Sequence, residues 1–318
     1  MRGEFDVTED NLVYALVATG NKSGGFNDNI PGTEGVVTNP AQNAPVEFET
    51  DTLAPTFDPE RLTLYEIGSK NSFDVGGLPA TLNVSAFYYD YSDLQLSTLL
   101  STAQILDVEG VALTPEQTAN LGGNIVSFTF NAADAEIYGA QVEGGLQLPG
   151  DINLKGSLLW LPEANVVESV EIQDSRFQAD VDPVNAVNRS IEGNRLIRTP
   201  EIQFNGSISK AIETGYGQYD GILSFGYRSS QHMTIFNGVD FQNPDDPSAR
   251  LDDEVDGYWT IDLGAGYSHG DDGKIRIEGY ISDLTDIDRP QAIIITQFDN
   301  TRFFNRPRTY GARLRYRF

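Results

Sequence analysis

Apolar and polar side chains alternate strictly at the carboxyl end of the chain, from Tyr310 to Phe318. In an extended strand, successive side chains point to opposite faces. One face would carry Tyr310, Ala312, Leu314, Tyr316 and Phe318, and the other would carry Gly311, Arg313, Arg315 and Arg317. Because a helix repeats every 3.6 residues, this period of two predicts a β-strand with one apolar face and one wet face.

The same alternation recurs along the chain, while a helical period is nearly missing. The clearest runs lie at residues 82–88, 152–160, 202–208, 219–227, 259–267 and 275–281, and weaker runs lie at 11–20, 62–73 and 124–147. The pattern predicts an all-β chain of roughly ten strands.

The connections between these strands alternate between short and long. Short ones fall at residues 74–77, 149–151, 213–217 and 269–273, and are rich in the Gly, Asp or Pro that tight turns require. Long ones fall at residues 21–60, 97–123, 162–198, 234–254 and 284–306. Tight turns on one rim and long loops on the other are typical of an antiparallel, up-and-down transmembrane β-barrel. Aromatic residues near strand ends suit its interfacial girdles: Trp160, Tyr227, Trp259 and Tyr267.

Composition excludes several other classes of protein. The chain has 318 residues and a formal net charge of −26, which argues against nucleic-acid binding. The absence of cysteine excludes disulfides, thiolate metal sites and a cysteine nucleophile. No apolar run approaches the roughly 18 residues of a membrane-spanning helix, and the first residues do not have the pattern of a secretory signal.

The sequence contains few candidate catalytic or metal-binding residues. His232 and His269 are the two histidines, and we expect both at the surface, with no catalytic residue, no metal site, no cofactor and no enzyme activity. The loop 240–256 carries seven acids and one arginine, which makes a calcium site conceivable. Its spacing is not that of a known calcium loop, and this favours a solvated acidic surface.

Two further groups allow either a ligand-related or a purely structural interpretation. The inward charges Glu278, Asp262, Arg313, Arg315 and Arg317 would line a solute path or, as we favour, pair across strands in a polar lumen. The aromatic residues of 87–91 would stack on a ligand or, as we favour, belong to a girdle.

The final strand resembles that of TonB-dependent outer-membrane receptors of the siderophore type, which ends in an aromatic residue recognised by the barrel-assembly machinery. The resemblance assigns Phe318 and Tyr316 to this assembly signal. Four other segments resemble family motifs in the family's order: 12–27, the hairpin 65–95, 131–143 and 282–286. Gln141, Ser282 and Asp283 depart from the family pattern.

The resemblance implies a 22-stranded barrel around a plug domain, preceded by a coupling box for the TonB energy-transducing complex. This chain resembles the C-terminal part of the barrel alone, so residues 1–318 are expected to be a partial barrel domain with no plug. TonB would then act only through a plug and coupling box that this sequence does not contain. An open set of strands would leave unpaired edges in lipid. The chain is therefore expected to be a fragment or, alternatively, to close as a smaller barrel.

Three functions follow from these alternatives. The favoured one is a receptor in the Gram-negative outer membrane, embedded in its lipid, for a scarce bulky nutrient such as a ferric siderophore. The second is a closed ten-strand barrel that acts as a passive channel or adhesin. The third, ranked last, is an outer-membrane hydrolase. The sequence identifies neither the ligand nor the residues that contact it.

Overall fold

The computed structural model of this protein contains strands, turns and irregular connections. It describes residues 1–27, 34–39, 44–49, 56–101, 125–172, 190–238, 251–270, 274–295 and 300–317. In these ranges, no helix is long and apolar enough to cross a membrane.

Nineteen strands are present in the described part of the chain. In chain order they are β1 (Arg2–Thr8), β2 (Asn11–Lys22), β3 (Gly25–Phe26), β4 (Glu34–Asn39), β5 (Ala44–Glu49), β6 (Thr56–Phe57), β7 (Glu60–Val75), β8 (Leu78–Ser101), β9 (Ile125–Leu148), β10 (Ile152–Ser169), β11 (Ile202–Thr214), β12 (Gly217–Arg228), β13 (Gln231–His232), β14 (Glu254–Val255), β15 (Tyr258–His269), β16 (Ile275–Ser282), β17 (Pro290–Ile295), β18 (Asn300–Phe304) and β19 (Thr309–Tyr316).

Eleven of these strands form one sheet, in the order β1-β2-β7-β8-β9-β10-β11-β12-β15-β16-β19. Every neighbouring pair is antiparallel and consecutive among the sheet strands. The predicted all-β, up-and-down architecture is confirmed. The edge strands β1 and β19 do not pair with each other, so the described residues do not form the small closed barrel of the alternative prediction.

Strand β1 adds one strand to the ten of the main sheet that the sequence pattern identified, and the eight short strands described outside this sheet lie within the long connections between its strands. Strand β1 carries the apolar side chains of Phe5 and Val7, and all of its residues are exposed. Two apolar residues next to Arg2, Glu4 and Asp6 give too weak a period to recognise. The strand forms because its backbone pairs with β2 from Arg2 through Thr8.

The pairing register gives the sheet one apolar and one polar face. On the apolar face, Leu158 lies opposite Phe204, Leu223 opposite Leu263, and Ile277 opposite Leu314. On the polar face, Ser157 lies opposite Asn205, Ser224 opposite Asp262, and Glu278 opposite Arg313. Leu314 is 72% and Ile277 52% exposed, a degree of apolar exposure that suits lipid rather than water.

Aromatic pairs bound the apolar face at both ends of the strands. The rings of Tyr219 and Tyr267 lie 4.6 Å apart near the short turns, and those of Tyr227 and Trp259 lie 5.0 Å apart near the long connections. Trp160 is also exposed on this face. Tyr219 and Tyr227 are roughly 26 Å apart along β12 at 3.3 Å per residue, which is on the scale of a barrel's apolar band. The four predicted girdle residues thus lie on the apolar face, and their contact with a membrane interface stays a prediction.

Connections alternate between short and long as predicted. The short ones are at residues 9–10, 76–77, 149–151, 215–216 and 270–274, and the long ones at 23–59, 102–124, 170–201, 229–257 and 283–308. The predicted start of a loop at residue 162 is wrong, because β10 continues to Ser169. A register shift between Trp160 and Glu163 accommodates Pro162, which has no backbone N–H to donate.

The strand ends beyond the apolar band pack against the long connections. A buried cluster there comprises Ala132, Ala133, Val166, Ile172, Ile191 and Phe236. Arg195 fastens the connection 190–201 by donating from Nε to the Thr199 carbonyl and from Nη2 to the Leu161 carbonyl, at 2.7 and 2.6 Å. Burial lowers the pKa of Arg195, although nearby Glu201 and Glu163 oppose the shift. The long-connection end of the sheet is therefore a packed structure.

Adjacent residues on β12 test the assignment of the faces. We expect Leu223→Arg to destabilise the barrel by about 2–4 kcal/mol, because it places a charge on the apolar face at mid-band. Ser224→Arg, one residue along and on the polar face, should have little effect. The folded fraction in outer membranes, measured by heat-modifiable gel mobility, checks this. Equal losses for the two variants would contradict the assignment.

Candidate functional site

The polar face of the sheet is the candidate site, because it carries the charged and hydrogen-bonding side chains and the cavities between them. Its centre is a groove of about 540 Å³ lined mainly by small or polar side chains. These include Thr81, Gly145, Ser157, Asn205, Ser207, Ser224, Gly226 and Thr260. Short side chains at facing register positions leave the backbone of the sheet accessible from this face. The arrangement offers hydrogen-bonding groups along the groove.

A charge network covers the polar face near the short turns. Arg276 donates to both carboxylate oxygens of Asp220, at 2.6 and 2.9 Å, and from Nε to Glu278 at 2.6 Å. Arg313 approaches Glu278 at 3.6 Å. The prediction of cross-strand pairing is confirmed for Glu278 and Arg313. Arg276 and Asp220 were not among the predicted inward charges, although both lie at polar positions of alternating strands.

The other predicted inward charges have different roles. Asp262 accepts a hydrogen bond from the backbone N–H of Asp283 at 2.9 Å. Arg315 lies opposite Arg276 in the β16–β19 register. The backbone N–H of Arg317 donates to the Lys274 carbonyl at 2.8 Å, which holds the end of β19 beside the short turn.

The aromatic cluster of residues 87–91 is divided between the two faces. Tyr88 lies on the apolar face, with its ring 6.3 Å from that of Tyr65. Phe87 and Tyr89 instead line a cavity of about 490 Å³ on the polar face, together with Tyr14 and Glu66. The girdle prediction is therefore wrong for Phe87 and Tyr89, because alternation along β8 turns these residues inward.

The Tyr14 hydroxyl organises one side of this cavity. It donates to Glu66 Oε1 at 2.6 Å, and its ring lies against Gly68, where any side chain would meet the ring at 2.5 Å. Phe87 and Tyr89 contact each other edge to face, with ring centroids 5.3 Å apart. The cavity thus combines aromatic surface with a carboxylate, but each of these groups already has a partner within the sheet.

Asp283 anchors the base of the long connection between β16 and β19. Its Oδ1 accepts from Thr285 at 2.7 Å, and its Oδ2 accepts from Asn305 at 2.8 Å and from Arg289 at 3.1 Å. Asp283 is buried and its φ is +56°, a backbone conformation that Asp tolerates better than most residues. The departure from the family motif at Asp283 therefore preserves a tight turn.

His232 is not the simple surface residue that was expected. Its Nδ1 lies 3.0 Å from Oδ1 of Asp253, whose side chain is fully buried and also accepts a hydrogen bond from the Thr234 hydroxyl. Thus one acid of the loop 240–256 is an internal anchor. His269 is exposed, as predicted, with Nδ1 3.0 Å from the Tyr267 hydroxyl.

The remaining predicted site residues are only partly described. Tyr316 ends β19 on the apolar face, opposite Ile275, and is exposed. Phe318 and residues 240–250 of the acidic loop lie outside the described residues. Within the described ranges, no group of three or more His, Asp or Glu residues is arranged to hold a metal ion.

Comparison with known proteins identifies the family of this sheet. The family described as TonB dependent receptor-like, beta-barrel matches residues 4–281. No curated protein matches the chain.

Solved structures share the fold at low sequence identity. The ferric yersiniabactin uptake receptor FyuA from Yersinia pestis is 17% identical with a TM-score of 0.65, and the match covers 99% of this chain and 36% of that one. The ferric preacinetobactin receptor BauA from Acinetobacter baumannii is 17% identical with a TM-score of 0.57, covering 99% and 35%. The ferric-catecholate import receptor Fiu from Escherichia coli K12 is 16% identical with a TM-score of 0.55, covering 98% and 33%. This chain spans about a third of the length of these structures.

The anchoring role of Asp283 is testable by substitution. We expect Asp283→Ala to loosen the 283–308 connection by about 1–3 kcal/mol, because three partly buried donors lose their acceptor. Asp283→Asn retains the turn conformation and one acceptor oxygen, and should be milder. Limited proteolysis of intact cells, followed by mapping of the cut sites, measures the effect. Unchanged cleavage in both variants would show that Asp283 does not hold this connection.

Proposed function

This chain belongs to the TonB-dependent receptor-like β-barrel family. From that membership we propose that it supplies the wall and outer connections of a receptor for a scarce, bulky nutrient, and that this nutrient is a ferric siderophore. The family consists of outer-membrane receptors and transporters of Gram-negative bacteria rather than enzymes. The observation that carries the proposal is the family match over residues 4–281, on a sheet with segregated short and long connections.

The nutrient class is supported by the structural neighbours. FyuA is described as an uptake receptor for ferric yersiniabactin, BauA as a receptor for ferric preacinetobactin and Fiu as an import receptor for ferric catecholate, and PirA and PiuA from Acinetobacter baumannii are described as siderophore receptors. OprC, a copper transporter with a TM-score of 0.54, shares the same fold. The proposal places ligand capture at the long connections, because these lie on the rim opposite the tight turns. The described residues favour neither a passive channel nor an adhesin, since the sheet they form is open.

The proposed partners follow from the two faces and the last strand. The apolar face contacts outer-membrane lipid. Residues 1–318 form part of a barrel domain whose lumen holds a plug, and the TonB complex acts on that plug rather than on this sheet. Phe318 and Tyr316 present the final strand to the barrel-assembly machinery.

Uptake of labelled iron tests the nutrient and its energy source together. Cells deleted for the gene should lose accumulation of one ⁵⁵Fe-labelled siderophore, tested from a panel of catecholate, hydroxamate and phenolate types. The gene restored on a plasmid should recover it, and a proton-motive-force uncoupler should reduce uptake to background. Uptake that survives deletion for every siderophore would overturn the siderophore assignment. Uncoupler-resistant uptake would overturn the TonB assignment.

The role of the final strand is tested by alanine substitution. We expect Phe318→Ala to lose most of the folded receptor from outer membranes, and Tyr316→Ala to lose less, because the terminal aromatic residue is the primary recognition feature in the proposal. Tyr310→Ala is the matched control, since Tyr310 lies on the same strand face at the opposite end. Quantitative immunoblots of outer-membrane fractions give the measurement. Equal losses at the three positions would indicate general strand damage instead.

A further inference from the structure

A cavity separate from those described above lies on the polar face, next to the long connections. Its volume is about 420 Å³. Three of its residues, Gln203, Arg228 and Tyr258, form one cross-strand row over β11, β12 and β15. The next row toward the short turns is Asn205, Gly226 and Thr260, which also borders the central groove. The cavity therefore opens directly onto that groove.

Three arginines line this cavity: Arg198, Arg228 and Arg289. Arg289 is already occupied, because it pairs with Asp283 at 3.1 Å and lies 4.7 Å from the centroid of the Tyr258 ring. Neither Arg198 nor Arg228 has a carboxylate within salt-bridge distance in the described part of the chain. Arg228 is half-buried and Arg198 is exposed, so a solute can reach both guanidinium groups. Their fork of N–H donors matches the paired oxygens of a carboxylate or phosphate.

Gln231 supplies an independent sign that the cavity is built for a ligand. It lines the cavity and is 7% exposed, and its Oε1 is buried without a hydrogen-bond partner among the described residues. Buried polar atoms in native structures almost always have a partner. An amide oxygen needs a donor, and an anion alone provides none. A hydroxyl or N–H on a bound ligand would supply that donor.

The connection 190–201 and strand β13 hold these groups in place. The backbone N–H of Arg198 donates to the His232 carbonyl at 2.9 Å, next to Gln231 in the chain. Gln231 pairs with Val255 across β13 and β14. Arg228 is fixed at the last position of β12. The donors and the acceptor thus come from three segments that backbone hydrogen bonds tie together.

We propose that this cavity binds a small hydroxylated organic anion, with its carboxylate or phosphate on Arg228 and Arg198 and a hydroxyl donating to Gln231 Oε1. The inference rests on the proposed receptor function and adds the chemistry that the barrel wall recognises. The volume suits a molecule of about the size of a hexose acid. Because the site borders the central groove, such a group would be held on the lumen side of the rim.

Binding of four probes to the receptor, expressed from its own gene and purified from outer membranes in detergent, tests the proposal. Gluconate has a carboxylate and hydroxyls, hexanoate has a carboxylate alone, and glucose has hydroxyls alone. Glucose 6-phosphate has hydroxyls and carries a phosphate in place of the carboxylate. Calorimetry should give at least tenfold tighter binding of gluconate or glucose 6-phosphate than of hexanoate or glucose. Tighter binding of gluconate would identify the anionic group as a carboxylate, and tighter binding of glucose 6-phosphate would identify it as a phosphate. Equal or undetectable binding of all four probes overturns the proposal.

Variants assign the binding to these residues. Arg228→Gln should weaken binding of the preferred anion at least tenfold. Gln231→Leu should remove the preference for gluconate over hexanoate while leaving hexanoate binding in place. Arg61→Gln is the matched control, because Arg61 is exposed near the same end of the sheet on its apolar face. Loss of binding in the control to the same extent, or full binding in both site variants, overturns the assignment.

The two proposals fail in distinguishable ways. Siderophore uptake with no preference among the four probes removes this site and leaves the receptor function. Selective gluconate or glucose 6-phosphate binding that depends on Arg228, in a protein that imports no siderophore, removes the siderophore assignment and leaves the site.

Discussion

Backbone hydrogen bonding between sequence-adjacent antiparallel strands is the interaction on which the rest of this structure depends. In hydrocarbon, a backbone N–H or C=O without a partner costs several kcal/mol, so each strand must be paired along its length. Strand β12 meets this requirement on both sides, from Gly217 to Arg228 against β15 and against β11. Because a register shift of one residue exchanges the faces, this pairing also determines which side chains lie on the apolar face and which on the polar face.

The apolar and polar faces of the sheet differ in how their side chains pack. The apolar face has little internal packing, and residues such as Leu314 and Tyr310 are largely exposed. The polar face instead forms ion pairs, as between Arg276 and Asp220, and leaves cavities where side chains are short. Buried packing is concentrated at the long-connection end, around Ile191 and Val166. Rigid groups are therefore available close to the rim at which the proposed receptor would capture its ligand.

Much of the fold was predictable because alternation and turn chemistry are local properties. The positions of Trp160, Tyr227, Trp259 and Tyr267 on the apolar face, the strand order and the alternation of connections followed from the sequence. The errors arose where a local signal was weak or ambiguous. Strand β1 carries few apolar residues, and Pro162 is accommodated by a bulge rather than ending its strand. Phe87 and Tyr89 were assigned to a girdle because an unbroken aromatic run does not reveal which members turn inward.

The sequence by itself determined the strand period, the two faces of the sheet and the rim that carries the long connections, since these depend on residues close together in the chain. Only the tertiary structure decided which distant residues meet. It placed Asp253 against His232, Asp220 against Arg276, and Gln231 in one cavity with Arg198 and Arg228. The physical reason is that pairing register and loop packing join segments far apart in the chain, and no local pattern records those distances.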